Sequence, residues 1–314
     1  MLVEGTRICK LFASENNFII YTHIKPDGDA IGSAYGLAVA LQSIGKKVKV
    51  RISEPVPSSF STWVNQFTSD DVEIGVGIAV DISAASRLGT CKNEDISICI
   101  DHHKGNDGSI QYTYLEDNSV SCSAIVFRLL EEMDMEIPQL ALDLLFAGHV
   151  ADSDCFQSAD INSKAFADAA SMIEKGANAA EVIKRVYSNK SQLVLECERE
   201  MLRSMEYFFD GKVAICLLPQ AQLERIGKSN TRTISEIPRK VDGVEMGISV
   251  FQISKQEYAL SFRSNGSWDA SSIATRFGGG GHFSSSGATL FVQSYFEVEE
   301  KIVDEIKRIY LSNK

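Results

Sequence analysis

Nowhere in the 314 residues does an apolar run approach the roughly 20 residues that a membrane helix needs. Met1–Lys10 has no apolar core behind a basic start, which argues against a secretion signal. Seven cysteines are present (Cys9, Cys91, Cys99, Cys122, Cys155, Cys197 and Cys216), but no CxxC occurs. Their odd number and scattered spacing exclude a zinc ribbon or a disulfide framework and suit reduced thiols in a cytoplasm. Histidine is scarce: His23, His102, His103, His149 and His282 are all there are. A basic face is missing too. Net charge is −11, and residues 211–314 hold 13 Lys+Arg against 11 Asp+Glu. Of the chain's 31 basic and 42 acidic residues, 18 and 31 are left for residues 1–210, a balance of −13 there. Such a first part is a poor surface for duplex DNA and a good one for cations.

What is there reads as two α/β regions. Asn17–Thr22 (NFIIYT), Lys47–Ile52 (KVKVRI), Glu73–Val80 (EIGVGIAV) and Ile96–Ile100 (ISICI) are short, β-rich apolar runs. Between the first two, Ile31, Ala34, Leu37, Leu41 and Ile44 recur at helical spacing, predicting a helix over Asp29–Ile44 that Gly45 stops. Strands apolar on both sides, alternating with helices, imply a parallel sheet covered on both faces. Residues 122–150 and 163–209 read as mostly helical. From Lys212 the pattern turns to strands (KVAICLL, MGISVFQI, EYALSFRS, ATLFV) with helices near 269–277 and 295–312. The expected division is a catalytic domain over 1–190, a helical connector over 191–210 and a smaller α/β domain over 211–314.

The residues that carry chemistry follow the predicted strands. His23, Asp27 and Asp29 come after the first, Asp81 ends the third run, and Asp101, His102 and His103 end the fourth. Asp152 and Asp154 follow the segment Leu144–Val150. Open parallel sheets bind ligands beyond the carboxyl ends of their strands, so separate segments deliver these groups to one edge. Imidazoles with several carboxylates suit a transition metal or manganese, and carboxylate-rich sites lean towards manganese or magnesium. Asp27 and Asp29, two apart, point the same way if the loop is extended. His149 reads as a helical core residue and Asp154 as a cap for the next helix. In the second region, Gly278–Gly281 is placed to form a nest of inward N–H groups, and Arg263 offers a planar fork for phosphate. For the glycines alone a plain turn is the simpler reading, and for Arg263 a salt bridge on an edge strand.

Taken together, THIKPDGDAIGS (Thr22–Ser33), AVD ending in Asp81, IDHH (Ile100–His103) and GHVADSD (Gly148–Asp154) resemble the four motifs of DHH phosphoesterases. LSFRS (Leu260–Ser264) and FGGGGH (Phe277–His282) resemble that family's associated C-terminal domain. The two-domain nano-RNase/pAp-phosphatase group is the most similar. The resemblance implies two divalent metal ions, expected to be manganese. His23, Asp27 and Asp81 would hold one, and Asp29, Asp81, His102 and Asp152 the other, with Asp81 as the bridge. It makes Asp101 a carboxylate that orients a histidine and His103 the group facing the scissile phosphate or leaving oxygen. Arg263, Ser264, Gly279, Gly280, Gly281 and His282 would grip the rest of the substrate. Departures fall around the expected pocket: Lys104-Gly105-Asn106 after the DHH, ADSDCF (Ala151–Phe156), and Ser285-Ser286 where alanines are common.

The implied activity is hydrolysis of short RNA or DNA oligonucleotides, 3′-phosphoadenosine 5′-phosphate, or both, by in-line attack of water in a cleft suited to short substrates. Rival expectations are hydrolysis of linear dinucleotides derived from cyclic ones, or of pyrophosphate or polyphosphate. A non-catalytic nucleotide sensor is the rival of another class. No membrane partner is expected, and a homodimer stays open.

Overall fold

A computed structural model describes residues 1–311 apart from 92–93, 159–160, 228–230, 267 and 282. Two compact units divide at Asn189 and Lys190. In the first, strands β1 (Asn17–Tyr21), β2 (Lys47–Arg51), β3 (Val76–Val80), β4 (Ile96–Asp101) and β5 (Tyr112–Leu115) form a sheet in the order β2-β1-β3-β4-β5. Every pairing in it is parallel. Four of these strands lie where the apolar runs predict them; β5 was not foreseen, since YTYL is short and follows a polar loop.

Strand alternation explains the helices on both faces. Phe18 and Ile20 of β1, Ile78 and Val80 of β3, and Ile98 and Ile100 of β4 join one core, while Ile19, Tyr21, Ala79 and Cys99 join another. Successive side chains of a strand point to opposite faces, so a run apolar at every position is buried on both. The larger core also holds helices α1 (Gly5–Ser14), α2 (Gly28–Ser43), α4 (Cys122–Glu132), α5 (Gln139–Asp152) and α6 (Ser163–Glu174), with a short α3 (Ser61–Val64) beside them. Chain direction across the sheet reverses between β1 and β3, the two strands whose carboxyl ends lead to His23 and Asp81. That is a topological switch point, where a crevice opens.

A glycine stripe sets the spacing of α2 and α5. A methyl group at Gly32 would lie 2.6 Å from the Leu144 carbonyl oxygen and 2.7 Å from Gly148 Cα. At Gly148 it would lie 2.0 Å from Ser123 Oγ. The two helices therefore pack backbone to backbone, which carries Asp29 in the first turn of α2 towards Asp152 at the end of α5.

The second unit begins with α7 (Ala179–Ile183) of the first unit already behind it. It contains α8 (Gln192–Arg203), strands β6 (Glu206–Phe208) and β7 (Val213–Leu218), α9 (Gln220–Ile226), α10 (Thr231–Ile234), β8 (Met246–Gln252), β9 (Glu257–Ser264), α11 (Ala270–Arg276), β10 (Gly280–Gly281), β11 (Ser285–Phe291) and α12 (Tyr295–Ile306). Its mixed sheet runs β10-β11-β9-β8-β7-β6. The helix expected as a connector, α8, buries Cys197 and Met201 against Cys216, Leu218 and Phe251, so it packs as part of this unit.

Candidate metal centre

The sheet's carboxyl edge gathers every metal-ligating residue that the sequence suggests in the first unit. His23, Asp27 and Asp81 present one ligand atom each within 4.8 Å of one another, and so do Asp29, His102 and Asp152. Asp81 joins the two groups. Its Oδ2 is 3.5 Å from His23 Nε2, and its Oδ1 is 3.3 Å from His102 Nε2. In the first group, His23 Nε2 lies 3.9 Å from Asp27 Oδ1. In the second, His102 Nε2 lies 3.9 Å from Asp29 Oδ2 and 3.5 Å from Asp152 Oδ2.

Both imidazoles are aimed by the nitrogen that faces away from the cluster. His23 Nδ1 is 2.7 Å from the Ile24 carbonyl, and His102 Nδ1 is 3.1 Å from the Ser119 carbonyl. A ring that donates Nδ1–H to a carbonyl presents a bare Nε2, the arrangement a metal-ligating histidine requires. Asp29 is held differently. Its Oδ2 accepts the Cys122 N–H at 2.6 Å and its Oδ1 the Ser123 N–H at 2.9 Å, at the N-terminus of α4. Helix N-termini stabilise such a carboxylate. Asp27 is the N-cap of α2 and accepts the Ala30 N–H at 3.2 Å.

Two expectations are corrected here. Asp27 and Asp29 do not lie on an extended loop, because the helix starts earlier than its apolar pattern suggests: one caps it and the other sits in its first turn. Asp154 is not the cap of the next helix: Asn162 is the N-cap of α6, and Asp154 lies in a turn with φ 48°.

Charge and burial say what the cluster lacks. Burial opposes protonation of His23, yet the hydrogen bonds to Asp27 and Asp81 push its pKa up to about 10. His102 goes up to about 11, where hydrogen bonding to Asp81 and the charges of Asp29 and Asp152 again overcome burial. Burial and the Asp81 charge push the Asp29 carboxyl up to about 7, and burial with the Asp29 charge raises Asp152 well above the usual range. Carboxylates crowded this closely repel one another and favour a cation among them. Asp81 Oδ1 is buried with no well-aligned hydrogen bond, its nearest donor being His102 Nε2 at 3.3 Å, and Asp81 itself sits at φ 58°, a strained backbone for a side chain other than glycine. An orphaned carboxylate oxygen between two sets of N and O donors fits divalent metal.

His103 stands beside this cluster. Its Nδ1 donates to Asp101 Oδ1 at 2.7 Å, and its ring is 30% exposed while Asp101 is fully buried. The second oxygen of Asp101 accepts from Asn106 Nδ2 at 2.7 Å, and the same amide reaches the Ile82 carbonyl at 3.0 Å. Burial would raise the Asp101 carboxyl, but its bonds from His103 and Asn106 hold it below the usual range. Asn106 escaped the sequence reading as a functional residue. The signal was that a buried Asp101 needs a donor for each oxygen, and Asn106 is the nearest polar amide in the chain.

In the second unit, Arg263 is engaged. Its guanidinium pairs with Glu236, which also binds Arg239, and donates to Ser235 Oγ at 3.0 Å and to the Phe262 carbonyl at 3.0 Å. Ser264 is buried and donates its N–H to the Ser284 carbonyl. Gly280–Gly281 pair with Gly287 and Ser286 as a short strand, where a nest of amides was expected. A methyl group at Gly279 would lie 2.1 Å from the Gly287 carbonyl oxygen, so close backbone pairing demands that glycine. His282 lies outside the described residues.

Comparison with known proteins places these features. The N-terminal domain of the DHH family matches residues 17–149, which include His23, Asp27, Asp29, Asp81 and Asp101 to His103. A protein named bifunctional oligoribonuclease and PAP phosphatase NrnA from Thermus thermophilus is 27% identical over 307 residues, 95% of this chain and 93% of that one. The protein of the same name from Bacillus subtilis is 21% identical over 308 residues, 95% of this chain and 96% of that one. The fold is shared with a crystal structure of an exopolyphosphatase-related protein from Bacteroides fragilis, with a TM-score of 0.86 at 22% identity, covering 97% of this chain and 96% of the other. Residues 17–149 thus match the N-terminal domain of the DHH family, and the chain is similar along nearly its whole length to these relatives.

Proposed function

We propose that this protein is a two-metal phosphoesterase, manganese-dependent, that hydrolyses short oligonucleotides and 3′-phosphoadenosine 5′-phosphate. The single observation that carries the reading is Asp81, whose two oxygens face two separate donor groups. The curated relatives matched over most of their length are named oligoribonucleases and PAP phosphatases, which supplies the substrate class. His23, Asp27 and Asp81 would hold one ion and Asp29, Asp81, His102 and Asp152 the other. Bound divalent ions supply a lowered pKa for water and neutralise phosphoryl oxygens.

The chain's own residues do the rest. Asp101 fixes the His103 ring by its Nδ1, leaving Nε2 to donate a proton to the leaving oxygen. Ser119 and Ile24, through their carbonyls, keep the ligand imidazoles in the tautomer that binds. Arg263 and Ser264 would hold the part of the substrate that does not react. Unpaired cysteines suit a reducing cytoplasm, as no disulfide joins the seven. The test is side-by-side hydrolysis, with manganese, of 3′-phosphoadenosine 5′-phosphate, RNA dinucleotides, pApA and pyrophosphate. Turnover of the first two above the last supports the reading; turnover of pyrophosphate alone overturns it.

A further inference from the structure

Directly after Asp152 the backbone is strained. Asp154, Cys155 and Phe156 have φ of 48°, 54° and 63°, three consecutive residues other than glycine in the left-handed region. Each such residue is disfavoured by about 1 kcal/mol or more, and such strain persists where the surrounding structure imposes it, often at ligand sites. The loop folds back on the end of α5: the Cys155 N–H bonds the Val150 carbonyl at 2.9 Å, and the Phe156 N–H bonds Ser153 Oγ at 3.1 Å. The turn sets the Phe156 ring edge-on to His149, with centroids 5.5 Å apart. Its other neighbour is Phe166, stacked at 5.1 Å with 22° between the planes.

Phe166 has no place in the core. Helix α6 buries Ala165, Asp168, Ala169 and Met172, whereas Phe166 is 54% exposed. A hydrogen-bonded chain ties this aromatic stack to the acidic cluster. His102 Nδ1 meets the Ser119 carbonyl, Ser119 Oγ donates to the Ser121 carbonyl at 3.0 Å, and Ser121 Oγ meets His149 Nδ1 at 2.8 Å. His149 is also one helical turn from Asp152, about 4.5 Å along the axis of α5. His149 thus links the stack to the cluster through the Ser119–Ser121 segment and along α5, and Phe166 leaves an open aromatic surface on the same unit.

We propose that Phe166, backed by Phe156, is a stacking platform for the nucleobase of the nucleotide whose phosphate sits at the cluster. This rests on the phosphoesterase reading. A bare π-face accepts any base, so the platform would recognise that a base is present, not which one.

The test compares AMP with ribose 5-phosphate, which has the same phosphate and no base, as competitive inhibitors of dinucleotide hydrolysis. Phe166→Ala should raise the inhibition constant of AMP about tenfold, in the range of one lost stacking contact, and move that of ribose 5-phosphate less than twofold. Phe166→Trp should restore AMP binding, and its fluorescence should be quenched by AMP and not by ribose 5-phosphate. Equal weakening of both inhibitors, or no change for AMP, overturns the platform. Should wild-type protein hydrolyse no nucleotide, the phosphoesterase reading fails by itself. The fluorescence titration still decides the platform: quenching by AMP alone supports it, and no quenching overturns it.

Discussion

His102 and His103 are neighbours in the chain with opposite orientations of purpose. One ring turns its Nε2 into the cluster, 3.3 Å from Asp81, and the other gives its Nδ1 to Asp101. His102→Ala should therefore lower bound metal and turnover together. His103→Ala should keep its metal and lose turnover about a hundredfold, the usual effect of removing a general acid. Metal analysis beside kinetics checks this; equal metal loss in both variants would reverse the two roles. For Arg263→Ala, a lost charge-assisted bond of about 1.5–3 kcal/mol raises the Michaelis constant roughly 10- to 100-fold for substrates with a second phosphate. Its pairing with Glu236 means that Arg263→Lys should not rescue, because a fork is in use and not only a charge. A lysine variant with wild-type kinetics would contradict that. That His23, Asp81 and His102 come together at one edge was legible because strand ends are easy to place from apolar runs. Asn106 and Ser119 were not, since their parts depend on which buried oxygen or ring nitrogen is left to satisfy, and that is known only after folding.

Helices α2 and α5 illustrate the limit at the level of elements. Gly28, Gly32 and Gly36 recur every fourth residue, a stripe on one face of a helix. The apolar residues of α2 mark one contact face from sequence alone, and the glycines mark another. Yet the glycines decide how near α5 can come, and so whether Asp29 and Asp152 meet. Gly32→Ala must push the α2 and α5 backbones apart, which destabilises by about 1–3 kcal/mol, and metal affinity should fall in step. Gly105→Ala is the control: it has open space and an ordinary φ, so its melting temperature should not change. Melting curves with and without manganese check both. A Gly32→Ala protein as stable and as tight for metal as wild type would show that the helices do not touch there. The helix expected over Asp29–Ile44 is found over Gly28–Ser43, one residue earlier, with Asp27 as its cap.

Stability of the whole molecule should carry a mark of His149. The ring is fully buried; its Nε2–H donates to the Ala165 carbonyl at 2.9 Å and its Nδ1 accepts from Ser121 Oγ. Burial pushes its pKa down to about 4. Between that value and the ordinary one near 6.5, the unfolded chain binds the proton that the folded one refuses. Stability is then complete above about pH 6.5 and falls as the pH drops towards 4, by about 3 kcal/mol in all. Urea midpoints from pH 7 to 4.5 should fall more steeply for wild type than for His149→Gln; parallel lines would contradict the assignment. The change to a strand-rich pattern from Lys212 matches the start of the second sheet's longer strands, while the attachment of α8 to the second unit depended on which face of an amphipathic helix finds apolar partners.

One carboxylate shared between two donor groups joins the two halves of the proposed centre. Its most direct test is the manganese stoichiometry of wild type and Asp81→Ala, measured by calorimetric titration beside turnover of 3′-phosphoadenosine 5′-phosphate. The expected result is two ions per wild-type chain, with binding at both sites and turnover lost together in the variant. One ion per wild-type chain, or a variant that keeps one site at full affinity and turns over substrate, would contradict a shared Asp81.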